Sequence, residues 1–112
     1  MDAEGGDINA LGSVEAAVLP QAFVLFQNFP NPFNASTAVK YQLPEASEVR
    51  LNVYNLLGQE VRRLVDGRVK AGTHSALWDS RDSLGREVGS GVYLVRMQAG
   101  DFVEVRKMAL IR

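Results

Sequence analysis

TAVKYQL at 37–43 and EVRLNVY at 48–54 decide the fold. The first alternates without a break: Thr37, Val39, Tyr41 and Leu43 share one face, and Ala38, Lys40 and Gln42 the other. The second puts Val49, Leu51 and Val53 inward and Arg50, Asn52 and Tyr54 outward. A period of two over seven residues is the pattern of a half-buried strand, because successive side chains leave a pleated backbone on opposite sides.

Outward from this pair the chain reads as further short strands divided by turn chemistry. AFVLFQN (22–28) is apolar and aromatic and runs into PNPFN (30–34), where two prolines and two asparagines preclude helix. NLLGQ (55–59) is a turn around Gly58, and EVRRLVD (60–66) follows with broken alternation, as a short or bulged strand would. THSALWD (73–79) sets His74, Ala76 and Trp78 on one face. WDSRDSLGREVGS (78–90) is too polar for a core strand and reads as an ordered loop crossing between sheets. GVYLVRMQ (91–98) is rich in β-branched and aromatic residues, and AGD (99–101), with Gly100 at positive φ, turns it into a last strand as a hairpin.

That last run, DFVEVRKMALIR (101–112), changes phase. Val103 and Val105 share one parity and Met108 and Leu110 the other, so a one-residue bulge near Arg106 and Lys107 would put all four on the core face. Without the bulge, one pair points outward unless both faces are covered. Seven short strands with no convincing helix indicate an all-β fold, a seven-stranded antiparallel β-sandwich of immunoglobulin type, with a barrel as the other closed solution.

Composition bounds the function. With 112 residues, 46% of them hydrophobic, the chain builds one modest core. There is no cysteine, hence no disulfide and no thiolate metal site. The net charge of −1 argues against a nucleic-acid binder, which needs a basic footprint. Four of the 13 acids precede the first base, Lys40, so residues 40–112 hold nine acids against all 12 bases, a local balance of +3. Residues 1–20 have paired glycines and no sustained periodicity and read as a flexible acidic linker, with 21–112 as the folded domain. A short helix capped by Ser13 and ending at Pro20 is the alternative. No run is long and apolar enough for a membrane span, and Asp2 and Glu4 stand where a secretory signal needs bases. A linker at the start and a strand pattern to the last residue suggest the C-terminal piece of a longer protein, with Met1 an added initiator.

Catalytic chemistry finds little to stand on. The single histidine, His74, has Ser75 beside it, but alternation sends that serine to the opposite face, which does not serve a Ser-His-Asp arrangement. Asp79 and Asp82 suggest a calcium loop only superficially. Their spacing departs from the D-x-[DN]-x-[DN]-G pattern, and turn-forming bonds to nearby amides explain them better. Trp78 would make a carbohydrate platform if exposed, but its phase with His74 and Ala76 assigns it to the core.

QNFPNPFN (27–34), VYNLLGQEVRRLV (53–65), AGTHSALWDSRDSLGREVGSGVYLVRM (71–97) and the terminal KMALIR together resemble the type A C-terminal sorting domain of the type IX (Por) secretion system. They are also similar to the immunoglobulin-like domain of the flagellar hook-capping protein. The resemblance implies transport rather than catalysis, with no cofactor and no metal. A covalently linked N-terminal cargo would cross the inner membrane by its own signal, and the translocon would recognise the folded domain without membrane insertion. A sortase-like protease would remove the domain near residues 16–22, leaving the cargo secreted or on the cell surface. The motif positions carried over are Pro30, Asn31, Pro32 and Asn34, then Gly91 and Tyr93, then Lys107, Met108, Leu110 and Arg112. The family's usual proline after PNPFN is Ala35 here.

Each position also has a local reading. PNPFN is a rigid loop closing one end of the sandwich, Gly91 and Tyr93 are a strand entry and a buried ring with a bonded hydroxyl, and Lys107 is either a solvated edge lysine or a receptor contact. The alternative function is a structural spacer or carbohydrate-binding module of an extracellular enzyme. Edge strands leave pairing between copies open.

Overall fold

The computed structural model describes residues 19–112. The linker assigned to residues 1–20 and the alternative helix from Ser13 therefore lie largely outside the described residues, as does the first part, 16–18, of the proposed cleavage region 16–22.

Seven strands form two antiparallel sheets: β1 (Val24–Leu25), β2 (Thr37–Leu43), β3 (Ser47–Tyr54), β4 (Glu60–Val69), β5 (Gly72–Trp78), β6 (Gly91–Ala99) and β7 (Phe102–Leu110). One sheet has the order β1-β2-β5 and the other β4-β3-β6-β7. The all-β immunoglobulin-like sandwich is therefore the fold, and the barrel is excluded because the two sheets remain separate. The inward sets of β2 and β3 face each other as their alternation requires: Val39, Leu43, Val49, Leu51 and Val53 are fully buried, with Val95, Met97 and Trp78 among them. Burying one such aliphatic side chain contributes about 1.5–3 kcal/mol.

Two strands differ from the expectation, and a third meets it in part. The first shrinks to two residues, because Asn28 turns inward and spends its amide on Thr37 Oγ1 (2.9 Å) and the Pro30 carbonyl (3.1 Å) instead of letting the chain run on beside β2. β4 is bulged, one of the two forms its broken alternation allows, and at 10 residues it is not short. Its register against β3 slips between Leu51 and Asn52 and again between Val53 and Tyr54. Those slips bring Val61 into the core and lay Leu64 and Val65 against it, which is why the local alternation is broken.

β7 carries no bulge, and its pairing with β6 is unbroken from Phe102 to Leu110. Met108 and Leu110 are buried, and Val103 and Val105 point outward. The inner face at that end is filled instead by the Phe102 ring, stacked on Phe23 with centroids 5.5 Å apart, and by Arg106, whose Nε donates to the Leu25 carbonyl at 3.0 Å. The two-residue loop between β6 and β7 has Gly100 at φ 58°, as a tight hairpin requires.

Candidate functional site

The PNPFN loop is pinned before it meets anything else. Thr37 Oγ1 donates to the Pro30 carbonyl at 2.8 Å and accepts from Asn28, so two buried polar side chains satisfy each other and the loop backbone. The Phe29–Pro30 and Asn31–Pro32 bonds are both cis. Pro30, Asn31, Pro32 and Asn34 are exposed while Phe33 is buried, packed on Trp78 with centroids 5.7 Å apart. Trp78 in turn meets the Tyr93 ring edge-on at 5.2 Å. Both polar tips are bonded, the indole N–H to the Arg81 carbonyl at 3.0 Å and the Tyr93 hydroxyl to the Gly89 carbonyl at 2.7 Å. Fully buried, Trp78 offers no face to a sugar.

The final residues are stitched to this loop. Asn31 Oδ1 accepts from the Ala109 amide at 2.9 Å, the Phe33 amide donates to the Ala109 carbonyl at 2.9 Å, and the Ile111 amide donates to the Phe33 carbonyl at 2.9 Å. The outer edge of β7 is thereby covered over its last residues, which removes an unpaired strand edge from solvent. On its other side β7 pairs Leu110 with Gly91 and Met108 with Tyr93.

Arg112 closes the arrangement from the loop between β5 and β6. Its Nε donates to the Val88 carbonyl at 2.6 Å, and its Nη2 donates to the Ser80 carbonyl (3.1 Å) and hydroxyl (2.8 Å). Its amide donates to Ser90 Oγ at 2.9 Å. Ser80 is buried at φ 57°, and its hydroxyl lies 2.7 Å from both the Ala35 and Asp79 carbonyls; Ala35 itself has φ 77°. Two non-glycine residues in the left-handed region, joined by a hydrogen bond, mark where backbone strain concentrates.

Most of the sequence-derived positions thus meet at one end of the sandwich. Met108 and Leu110 are there as core side chains, not as surface. Lys107 differs: its side chain is exposed on the outer face beside Leu94, and only its carbonyl joins the seam, accepting from Gln27 Nε2. Ser80, Asn28 and Thr37 hold the site together but carried no signal of their own, because their roles depend on burial and on partners distant in sequence.

Asp79 and Asp82 act as turn formers. Asp79 Oδ1 accepts from the Arg81 amide at 3.1 Å and from Arg62 Nη1 at 3.1 Å. Asp82 Oδ1 accepts from the Leu84 and Arg86 amides, each at 2.9 Å, and Oδ2 meets Arg86 Nε at 3.0 Å. The Arg86 amide, chiefly, holds the Asp82 carboxyl below its usual range; partial desolvation opposes this, and the Leu84 amide and Arg86 guanidinium add to it. Among the described residues no three acids or histidines cluster as a metal site. His74 lies against the Tyr41 ring and its Nε2 is 2.8 Å from the Lys70 carbonyl, with Ser75 exposed on the far face.

The architecture has known counterparts. A chain of PorZ from Porphyromonas gingivalis superposes with a TM-score of 0.56 at 18% identity, covering 79% of this chain and 11% of that one. Dimeric latent PorU from the same organism gives 0.60 at 21% identity, covering 80% of this chain and 9% of that one. FlgD from P. aeruginosa gives 0.56 at 23% identity, covering 82% of this chain and 71% of that one. The chain thus spans about a tenth of the length of PorZ and PorU. No curated protein matches it. The family model described as the FlgD Ig-like domain matches residues 32–101, a span that includes Pro32, Asn34, Gly91 and Tyr93 and ends just before the terminal strand β7. Matched over more than half its length, the chain belongs to the FlgD Ig-like domain family.

Proposed function

We propose that this domain is a non-catalytic sorting module of the type IX secretion pathway, read by the outer-membrane translocon and carrying an N-terminal cargo to the cell surface or medium. A sortase-like protease would then separate domain from cargo. The observation that carries the reading is the convergence of PNPFN, the start of β6 and KMALIR, three blocks remote in sequence, on one hydrogen-bonded end of the sandwich. A receptor for a folded label needs such a composite surface, since an unfolded chain presents the blocks only separately. The likeness to PorZ, described as an essential bacterial surface component of the type IX secretion system, supports the same pathway.

The test is export. The whole chain, fused behind a signal peptide and a reporter, is expressed in a bacterium that has this pathway. Surface display lost on deleting residues 107–112 is the expected result, and periplasmic retention of the intact fusion would refute the reading.

A further inference from the structure

Asn52 occupies the middle of the outer face of the four-stranded sheet, where a polar side chain is ordinarily hydrated, yet it is only 8% exposed. It pairs in register with Arg63 on β4 and Arg96 on β6, so a guanidinium-bearing chain flanks it on each side. Its Nδ2 reaches the Tyr54 hydroxyl at 3.4 Å, but its Oδ1 is buried with no hydrogen-bond partner. Among the described residues it is the one buried side-chain polar atom left so. Native folds seldom leave such an acceptor unmet, and one lying in a groove points to a donor supplied from outside.

The groove exists. It has a volume of about 270 Å³ and is lined by Arg50, Asn52, Tyr54, Glu60, Arg63, Asp66 and Arg96. A second groove of about 380 Å³ shares Arg50 and Asp66 with it, so the concavity continues along the sheet. The three arginines are not equally engaged. Arg63 is held by Glu60 at 2.9 Å, Arg50 has only a 4.0 Å contact with Asp66, and Arg96 spends one N–H on the neutral Gln98 Oε1 at 3.3 Å. Three guanidiniums against two carboxylates leave the first groove one positive charge in excess.

We infer that this outer-face groove binds a carboxylate-bearing sugar, one uronic-acid unit of an acidic glycan. Its carboxylate pairs with the Arg96 and Arg50 guanidiniums, which suit planar bidentate recognition. A ring hydroxyl donates to Asn52 Oδ1 once the flanking arginine side chains part. The remaining hydroxyls, each both donor and acceptor, meet Asp66 and Glu60, and the Tyr54 ring takes an apolar sugar face. A polyanion such as nucleic acid is disfavoured by the two carboxylates, a neutral sugar leaves the one excess positive charge unanswered, and an extended peptide finds its backbone partners at a sheet edge rather than on a face. The groove lies on the outer face of β3, β4 and β6 and shares no lining residue with the PNPFN end, so this binding stands independently of the sorting role.

The whole 112-residue chain is titrated with trigalacturonate by calorimetry and by amide chemical shifts, with maltotriose and hexaglutamate as comparisons. Saturable binding of trigalacturonate is expected, with shifts centred on Asn52, Tyr54 and Arg96 and at least tenfold weaker binding of both comparison ligands. Arg96→Gln and, separately, the exposed Arg50→Gln should each weaken it tenfold or more while the circular dichroism spectrum is unchanged. Asn52→Val should weaken it without lowering Tm. Absence of saturable binding at millimolar trimer, equal binding of maltotriose or hexaglutamate, or undiminished binding by a folded Arg50→Gln variant would each overturn the proposal.

Discussion

Asn31 Oδ1 accepts the backbone hydrogen of Ala109 at 2.9 Å, joining two residues 78 positions apart and making the first loop a cover for the last strand. An exposed side chain thus satisfies an amide that would otherwise be a free strand edge. Asn31→Ala should lower stability by about 0.5–1.5 kcal/mol, the worth of one hydrogen bond, whereas Asn31→Asp, which keeps the acceptor, should cost less. Thermal melting checks this, with a fall of roughly 4–8 °C expected per kcal/mol.

Ala35 sits at φ 77°, a conformation that a proline ring locked near −65° cannot adopt. The backbone at this position therefore admits alanine or glycine but not proline. Ala35→Pro should destabilise the domain by more than about 1 kcal/mol, while Ala35→Gly should be neutral or stabilising by up to about 1 kcal/mol. Urea midpoints of the two variants should move in opposite directions or differ clearly in size.

Arg112 ties the loop between β5 and β6 through Val88 and Ser80. Arg112→Lys keeps the charge but cannot supply this fork of N–H donors. Faster hydrogen exchange at the Val88 amide, which donates to the Ser80 carbonyl at 3.0 Å, is the expected result, with the β3 and β6 amides unchanged.

Asp82 predicts a pH dependence. Its folded carboxyl titrates below the ordinary value of 3.8, chiefly through the Arg86 amide. The folded state therefore binds a proton less readily than the unfolded chain, and the stabilisation is fully present above that ordinary value. It is lost as pH falls through the lower folded value. The stability gap between the wild type and Asp82→Asn should be constant near neutrality and shrink below about pH 4. Equilibrium unfolding at several pH values measures it, and a gap that widens in acid would contradict the assignment.

Trp78 fills the junction of Phe33 and Tyr93 with no exposed surface. Trp78→Ala should cost about 3–5 kcal/mol. Trp78→Phe should cost less, since it keeps a ring but loses the bond to the Arg81 carbonyl. Near-ultraviolet dichroism and denaturant midpoints report both.

Much of the fold was legible because alternation is a local property. β2 begins at Thr37 and ends at Leu43 as its pattern implies, and Trp78 is buried on the face it shares with His74 and Ala76. AFVLFQN misled because apolar content says nothing of Asn28 turning inward to Thr37, a bond made only after β2 is in place. At the candidate site PNPFN and KMALIR were legible as blocks, whereas Ser80 and Asn28 were not, their partners lying 45 and nine positions away.

The sequence by itself determined the strand count, the inward faces of β2, β3 and β5, and the turns at Gly58 and Gly100, because backbone pleating and φ preference act within a few residues. Tertiary structure alone decided the parity of β7, since whether Val103 or Phe102 turns inward depends on Phe23 and Leu25 across the interface. It also decided that Asn52 is buried between two arginines and that the first loop meets the end of β7 at Ala109 and Ile111. Burial and hydrogen-bond partnership belong to pairs of segments, and no single stretch of chain carries them.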